Sequence, residues 1–267
     1  MTLTKPAFDV IRRLIPQLTY DLHKGQSGRV CVIGGSDDYT GAPYFSAFSA
    51  LKLGADMAHI VCQPTAAISI KNPDLTSEEI IDNVTSLFKR THVLVIGPGL
   101  SRDKMMLECA KGIILKAKEE HIPMIIDADG LFLIQNDPDI IKDYSEAILT
   151  PNVNEFRRLC EAMGKNDLIS NGNSVFLVDN KGGLKRCGGQ GDILTGLIST
   201  FISWGVAYKK KDDNSISPTD IPMLASFAGC TLMRECSLVA FEKLGRSVQT
   251  SDMIPEIGPS FQRLFGR

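Results

Sequence analysis

Five short stretches of this chain are apolar almost without a break: RVCVI (29–33), AHIVC (58–62), HVLVI (92–96), PMIID (123–127) and AILT (147–150). Loops of glycine, aspartate and asparagine follow several of them. Helical patterns come next, as in YFSAFSALKLG (44–54), the amphipathic KMMLECAKGIILKAKEE (104–120), a short helix after ADG (128–130) and PNVNEFRRLCEAM (151–163). A strand with one face in water alternates apolar and polar residues, whereas an unbroken apolar run marks a strand covered on both faces. The repeated strand–loop–helix order predicts βαβ units, and hence an α/β fold: a three-layer α/β/α sandwich around a mainly parallel central sheet.

The pattern changes after residue 163. DLIS and NSVFLVD flank Asn171-Gly172, a dipeptide that favours a tight hairpin. Helices are expected over 191–204, about 218–243 and about 252–265, and the last two could supply the interface of a homo-oligomer. With no linker and no internal repeat visible, residues 1–267 read as one domain.

Composition narrows the function classes. Of 267 residues, 43% are hydrophobic and 22% charged, enough apolar material for one large α/β core, and the formal net charge is −2. There is no basic block of the kind that grips nucleic acid. The run Lys209–Lys211 meets Asp212 and Asp213 and reads as a solvated loop. No 18-residue apolar run suggests a membrane span. Seven cysteines, an odd number without a Cys-x-x-Cys pair, read as reduced thiols of a cytoplasmic protein. The first eighteen residues make a poor signal peptide and a weak transit peptide, so a mitochondrial form with another N-terminus stays open. The four histidines are too scattered to suggest a zinc site.

In an open parallel sheet, ligands bind outside the carboxyl ends of the strands. That places Gly34-Gly35-Ser36, Gly97-Pro98-Gly99, Asp127-Ala128-Asp129 and Asn152-Val153-Asn154-Glu155 on one rim. Asp127 and Asp129 either join that rim or cap the short helix behind them, the capping role being favoured. The stretch LKRCGGQGDILTGLIST (184–200) puts one acid, Asp192, at a glycine-rich turn where a helix begins. Such a turn lets backbone N–H groups converge, and the helix N-terminus adds unpaired N–H groups and a partial positive charge: an anion hole. The same field would hold Asp192 ionised, fit to act as general base for a hydroxyl attacking phosphorus. The alternative is that Asp192 merely N-caps the helix.

These residues carry a resemblance. GGQGDILTG resembles the Gly-x-Gly-Asp signature of ribokinase-like small-molecule kinases, and Asn152-x-x-Glu155 resembles the motif with which that superfamily positions magnesium and phosphate. GRVCVIGGSDDYTGAPYFSAFSALKLGAD, VIGPGLSRD, IIDADGL, LTPNVNEF and RCGGQGD together resemble the ATP-dependent NAD(P)H-hydrate dehydratases, in their eukaryotic form, from about Gly25 to Trp204. The resemblance implies a ribokinase-like fold, ATP as co-substrate and Mg²⁺ as cofactor. It also implies the repair of hydrated NADH or NADPH in the S form, alongside an NAD(P)H-hydrate epimerase. Phosphorylation of the ring hydroxyl by ATP and loss of phosphate would restore the dihydronicotinamide. By the same resemblance Asp192 is catalytic and touches the substrate. Gly41, Ala42, Gly99, Asn152, Val153, Asn154, Glu155, Phe156, Arg157 and Arg158 bind substrate, although a solvated helix face is an equal reading for the two arginines. Gly182, Gly183, Leu184, Lys185, Arg186, Cys187, Gly188, Gly189, Gln190 and Gly191 bind nucleotide, and Glu155 holds the metal through water.

Two places look short against that family. GKNDLIS follows EFRRLCEAM directly, where the family has a strand ending in Lys-Gly that helps hold the nucleotide. IKNPDL runs straight into TSEEIIDNV, where a His-Pro segment is expected. A break in the chain near Lys165–Asp167 or Leu75–Thr76 would mark residues missing there. Three other readings remain: a conventional small-molecule kinase, a redox enzyme binding intact NAD and a non-catalytic binding protein. Against the redox enzyme, VIGGSD lacks the third glycine of Gly-x-Gly-x-x-Gly.

Overall fold

The chain is seen here as a computed structural model that describes residues 3–63, 76–159, 167–171, 174–210 and 215–266. The two junctions suspected of being short, and the two central residues of the Asn-Gly hairpin turn, lie outside the described residues.

Five parallel strands form the central sheet: β2 (Arg29–Ile33), β3 (Met57–Val61), β4 (Val93–Ile96), β5 (Met124–Ile126) and β6 (Ala147–Leu149), in the order β3-β2-β4-β5-β6. Alternate residues serve opposite cores, which is why these strands are apolar throughout. Val30, Val32, Val93, Val95 and Ile125 face one core. Cys31, Ile33, Leu94, Ile96, Met124 and Ile126 face the other. The first core is closed by α1 (Phe8–Leu14), α2 (Gly41–Leu53), α7 (Gln190–Tyr208), α8 (Ile221–Leu244) and α10 (Ile257–Phe265). The second is closed by α3 (Ser77–Thr85), α4 (Lys104–Glu119) and α5 (Ala128–Asn136). The result is the three-layer α/β/α sandwich.

A second sheet holds β1 (Leu3–Thr4), β8 (Val175–Val178) and β7 (Asp167–Ser170). β7 and β8 are antiparallel, as the hairpin reading required, and β1 runs parallel to β8. The N-terminal segment is fastened by Phe8, whose ring lies 5.5 Å from that of Phe265 and 6.3 Å from that of Phe227. One expected helix changes. The expected helix over 252–265 is broken into α9 (Thr250–Met253), a 3-10 turn at Ile254–Glu256 containing Pro255, and α10. The stretch Ile221–Ser247 is, among the described residues, long and apolar enough to cross a membrane by length and composition, yet most of it is buried in the core. Its apolar side chains are spent within the chain, against α7 and β8.

One contact matters most for function. α2 and α7 pack through small residues, so their backbones approach closely. A Cβ on Gly196 would lie 2.1 Å from the Ser46 carbonyl oxygen. Ser46 Oγ and Thr195 Oγ1 share a hydrogen bond of 2.9 Å, Ser49 Oγ donates to the Ile193 carbonyl (3.2 Å), and Thr200 Oγ1 donates to that of Ala50 (3.1 Å). This seam sets the N-terminus of α7 beside the N-terminus of α2.

Candidate active site

The strand-end loops do crowd together. A Cβ on Gly34 would strike the Pro98 carbonyl oxygen at 2.1 Å, and one on Gly97 would overlap the Asp127 carbonyl oxygen. Gly99, with φ +63°, leaves a Cβ only 2.6 Å from the Tyr39 carbonyl oxygen and 3.3 Å from Ala42 Cβ. Only glycine permits such approaches at these turns. They bring the loop before α2, and with it Gly41 and Ala42, against the loop after β4.

The glycine-rich turn reaches the same place through α7. Gly189 takes a left-handed conformation (φ 93°) as the residue before the helix, with Phe45 of α2 3.3 Å from its would-be Cβ. Asp192 is therefore the third residue of α7 and not its N-cap. The first backbone donor of α7 to find a helical acceptor is Ile193 N, bonded to the Gly189 carbonyl (3.1 Å). The amides of Gln190, Gly191 and Asp192 precede it and stay available, as the ends of helices require. Gly188 has open space around its would-be Cβ. The rest of the segment is braced from within. Arg186 Nη1 donates to the Gly183 carbonyl (2.8 Å), Lys185 Nζ and Cys187 Sγ donate to the Val248 carbonyl (2.8 and 3.3 Å), and Gly183 N donates to Ser237 Oγ (3.0 Å). Gln190 Nε2 adds a bond to the Lys185 carbonyl (3.3 Å), while Gly182 packs beside Ser237 and Leu184 is exposed.

Asp192 was expected to be held ionised by the helix field; burial pushes its carboxyl up to about 6, which still leaves it mostly ionised in neutral solution. One expectation about the acids is corrected. Asp127 was expected to cap α5, yet its side chain makes no capping bond there. It accepts a hydrogen bond from Thr150 Oγ1 at the end of β6 (2.9 Å) and is only 6% exposed. Its other oxygen, Oδ2, lies 3.7 Å from the position of a Cβ on Gly191. Burial, opposed by the Thr150 bond and reinforced by the charges of Asp192 and Glu155, raises Asp127 to about 7. Ala128, next in the chain, has φ 45°, a conformation that strains any residue with a Cβ. Sequence reasoning undervalued Asp127 because an acid before a helix looks like a cap. Asp129 instead clamps the loop after β4, accepting from Ser101 N (3.0 Å) and Arg102 Nε (3.3 Å).

Asn152 and Glu155 form a reciprocal cap at the start of α6 (Val153–Leu159). Asn152 Oδ1 accepts from Asn154 N (2.9 Å) and Glu155 N (3.0 Å), and Glu155 Oε2 accepts from Asn152 N (2.8 Å). The cap fixes Glu155 near enough to Asp127 for its charge to be felt there. Val153 is exposed and Phe156 half-buried, while the side chains of Arg157 and Arg158 lie outside the described residues.

The sandwich, with an acid in the first turn of a helix beside the sheet, has the fold of solved ribokinase-like proteins. A ribokinase-like superfamily protein from Enterococcus faecalis superposes with a TM-score of 0.75 at 18% identity, covering 99% of this chain and 97% of that one. An ADP/ATP-dependent NAD(P)H-hydrate dehydratase from Bacillus subtilis, co-crystallised with ATP and Mg²⁺, gives 0.68 at 17% identity, covering 99% of both chains. The family model described as NAD(P)H-hydrate dehydratase matches residues 30–168 and 163–259. The ATP-dependent (S)-NAD(P)H-hydrate dehydratase of Mus musculus is 41% identical over 295 residues, covering 97% of this chain and 85% of that one. The human protein of the same name is 40% identical over 293 residues, covering 96% and 84%. The chain belongs to the NAD(P)H-hydrate dehydratase family. The span matched in the mouse protein exceeds the 267 residues of this chain, so that relative carries residues without a counterpart here. The two family-model matches meet at 163–168, where the sequence reads as short.

Proposed function

We propose that this protein uses ATP to dehydrate the S form of hydrated NADH and NADPH, yielding the intact dinucleotide, ADP and phosphate. The observation that carries the reading is the position of Asp192, half-buried in the first turn of α7 beside the unpaired amides of Gln190, Gly191 and its own backbone. Relatives about 40% identical across nearly the whole chain bear the name of that activity.

The chemistry suits the residues. Hydroxide leaves a ring carbon poorly and phosphate leaves it well, so a site able to phosphorylate the hydroxyl turns a hard dehydration into an easy elimination. Asp192 takes the hydroxyl proton as its oxygen attacks the γ-phosphorus. The amides at the head of α7 stabilise the charge that builds on the transferring group, without reorganising as they do so. Gly188 and Gly191 leave room for the triphosphate, while Gly41 and Ala42, held in place by the close approach of Gly99 to Tyr39, leave room for the nicotinamide end. Buried Asp192 keeps a basicity matched to neutral solution, where a weaker, fully exposed carboxylate would drive proton transfer less.

Magnesium fits this donor set as an ion carried on the triphosphate. Among the described residues no three His, Cys, Asp or Glu side chains converge to hold a metal by themselves. Mg²⁺ commonly relies on one or two carboxylates plus phosphate oxygens and water. Glu155 would hold it through water, and the ion would neutralise phosphate charge. The S epimer would be supplied from the mixed hydrate by an epimerase.

The test is incubation with ATP, Mg²⁺ and hydrated NADH. Recovery of dihydronicotinamide absorbance together with inorganic phosphate is the expected result. A stable phosphorylated product would identify a conventional kinase instead, and no turnover would leave only a binding protein.

A further inference from the structure

The proposed reaction removes two protons from the substrate, and Asp192 accounts for one. Hydration of the ring puts a hydroxyl on the carbon beside the ring nitrogen and a hydrogen on the neighbouring carbon. Once the hydroxyl is phosphorylated, its carbon–oxygen bond breaks, and the electron pair leaves with phosphate. The nitrogen lone pair then forms a carbon–nitrogen double bond, giving a cationic iminium. That cation is not yet the dihydronicotinamide. The neighbouring carbon must still lose its proton, its bonding pair forming the ring double bond while the iminium electrons return to nitrogen. Without a base in place, water re-adds to the iminium, and ATP is spent for nothing.

Resting on the dehydratase reading, we infer that Asp127 is the second general base and takes this carbon-bound proton. Asp127 belongs to a different element from Asp192, at the end of β5. It is buried but not used as a helix cap. Thr150 holds one of its oxygens at 2.9 Å. The other faces the head of α7, 3.7 Å from where a Gly191 side chain would begin. Glycine at that position leaves the space beside Asp127 Oδ2 open. Two carboxylates on two supports, close enough for the charge of one to be felt at the other, match two protons leaving adjacent atoms of one ring.

The experiment measures ADP and NADH formation together for wild type and Asp127→Asn, with ordinary hydrated NADH and with hydrate prepared in heavy water, which carries deuterium on the carbon in question. Asparagine can still accept the Thr150 bond, so the variant keeps that link. Wild-type recovery of NADH is the control, and its failure would sink the dehydratase reading rather than this one. For Asp127→Asn, NADH formation should fall about 100-fold, the scale of a lost general base. ADP release should fall much less, so that several ADP form per NADH, and the deuterium isotope effect on NADH formation should exceed that of wild type. Should Asp127→Asn not fold, Asp127→Glu, which keeps a carboxylate but displaces it, should likewise raise the ADP-to-NADH ratio. A ratio of one with an unchanged isotope effect, whether both rates fall or neither does, would overturn the assignment. So would a loss of both products restored together by extra Mg²⁺.

Discussion

Thr150 and Asp127 stand on neighbouring strands, and the threonine hydroxyl donates to the aspartate carboxyl across 2.9 Å. That bond ties the ends of β6 and β5 and holds a buried acid that would otherwise be free to turn. Burial still wins, raising Asp127 to about 7 from an ordinary 3.8. A carboxyl whose pKa is higher in the fold than in the unfolded chain binds its proton more tightly when folded. Its contribution to stability is complete below the unfolded value and is lost as pH rises through about 7. Asp127→Asn escapes that loss. Thermal melts should show the variant's melting temperature rising relative to wild type by at least about 5 °C between about pH 5 and about pH 8. Parallel melting curves at both pH values would show that burial does not burden this acid.

Asp192 should govern the acid limb of ADP formation, the step before the one assigned to Asp127. As a base it works only when ionised, and burial places its pKa at about 6. The pH profile of kcat/KM, measured by ADP formation, should therefore fall tenfold per unit below that value. Asp192→Asn should lower turnover about 100-fold or more while leaving the melting temperature and ATP affinity near those of wild type.

Gly191 separates folding from function. A Cβ there would meet only Asp127 Oδ2, at 3.7 Å. Alanine in a helix is favoured over glycine by about 0.5–1 kcal/mol, so Gly191→Ala should melt no lower than wild type. The methyl group would occupy the space beside Asp127 Oδ2 at the head of α7, and KM for ATP or for the hydrate should rise about tenfold or more. Calorimetry of nucleotide binding beside a thermal melt checks both halves.

Gly196 makes the opposite prediction. Its missing Cβ lets α7 lie against α2, and a methyl group would press on the Ser46 carbonyl at 2.1 Å. Gly196→Ala should destabilise by about 1–3 kcal/mol, as overpacking does. It should also lower turnover, because the seam it disturbs places Asp192. Urea titration and a steady-state assay on the same preparation read both effects.

The layers of the sandwich are legible in the chain because both-sided burial writes itself into local sequence. Val93–Ile96 has no polar position at all, and all four residues are buried. The head of α7 is equally local, since glycines and one acid specify it within a few residues. What depends on distant partners was not legible. β1 is held by pairing with Val175 and Phe176, and α1 by packing Phe8 on rings from α8 and α10 and burying Ile11 and Leu14 in the first core. α3 begins with a capping box between Thr76 and Glu79, a local signal that was available and passed over. Asp127 shows the limit most clearly. The residue before a helix looks the same whether its carboxyl turns back to the helix or out to a cleft, and the partner that decides is Thr150 on another strand. Burial likewise lifts the carboxyl of Asp192 above its ordinary range while leaving it mostly ionised in neutral solution, because the local helix field can be read from sequence and desolvation cannot.

The most direct measurement is a crystal structure with a non-hydrolysable ATP analogue, Mg²⁺ and hydrated NADH. The γ-phosphate should lie within hydrogen-bonding distance of the amides of Gln190, Gly191 and Asp192, with the ring hydroxyl between it and the Asp192 carboxylate. A triphosphate bound away from the head of α7, or a ring hydroxyl turned from Asp192, would contradict the proposed chemistry.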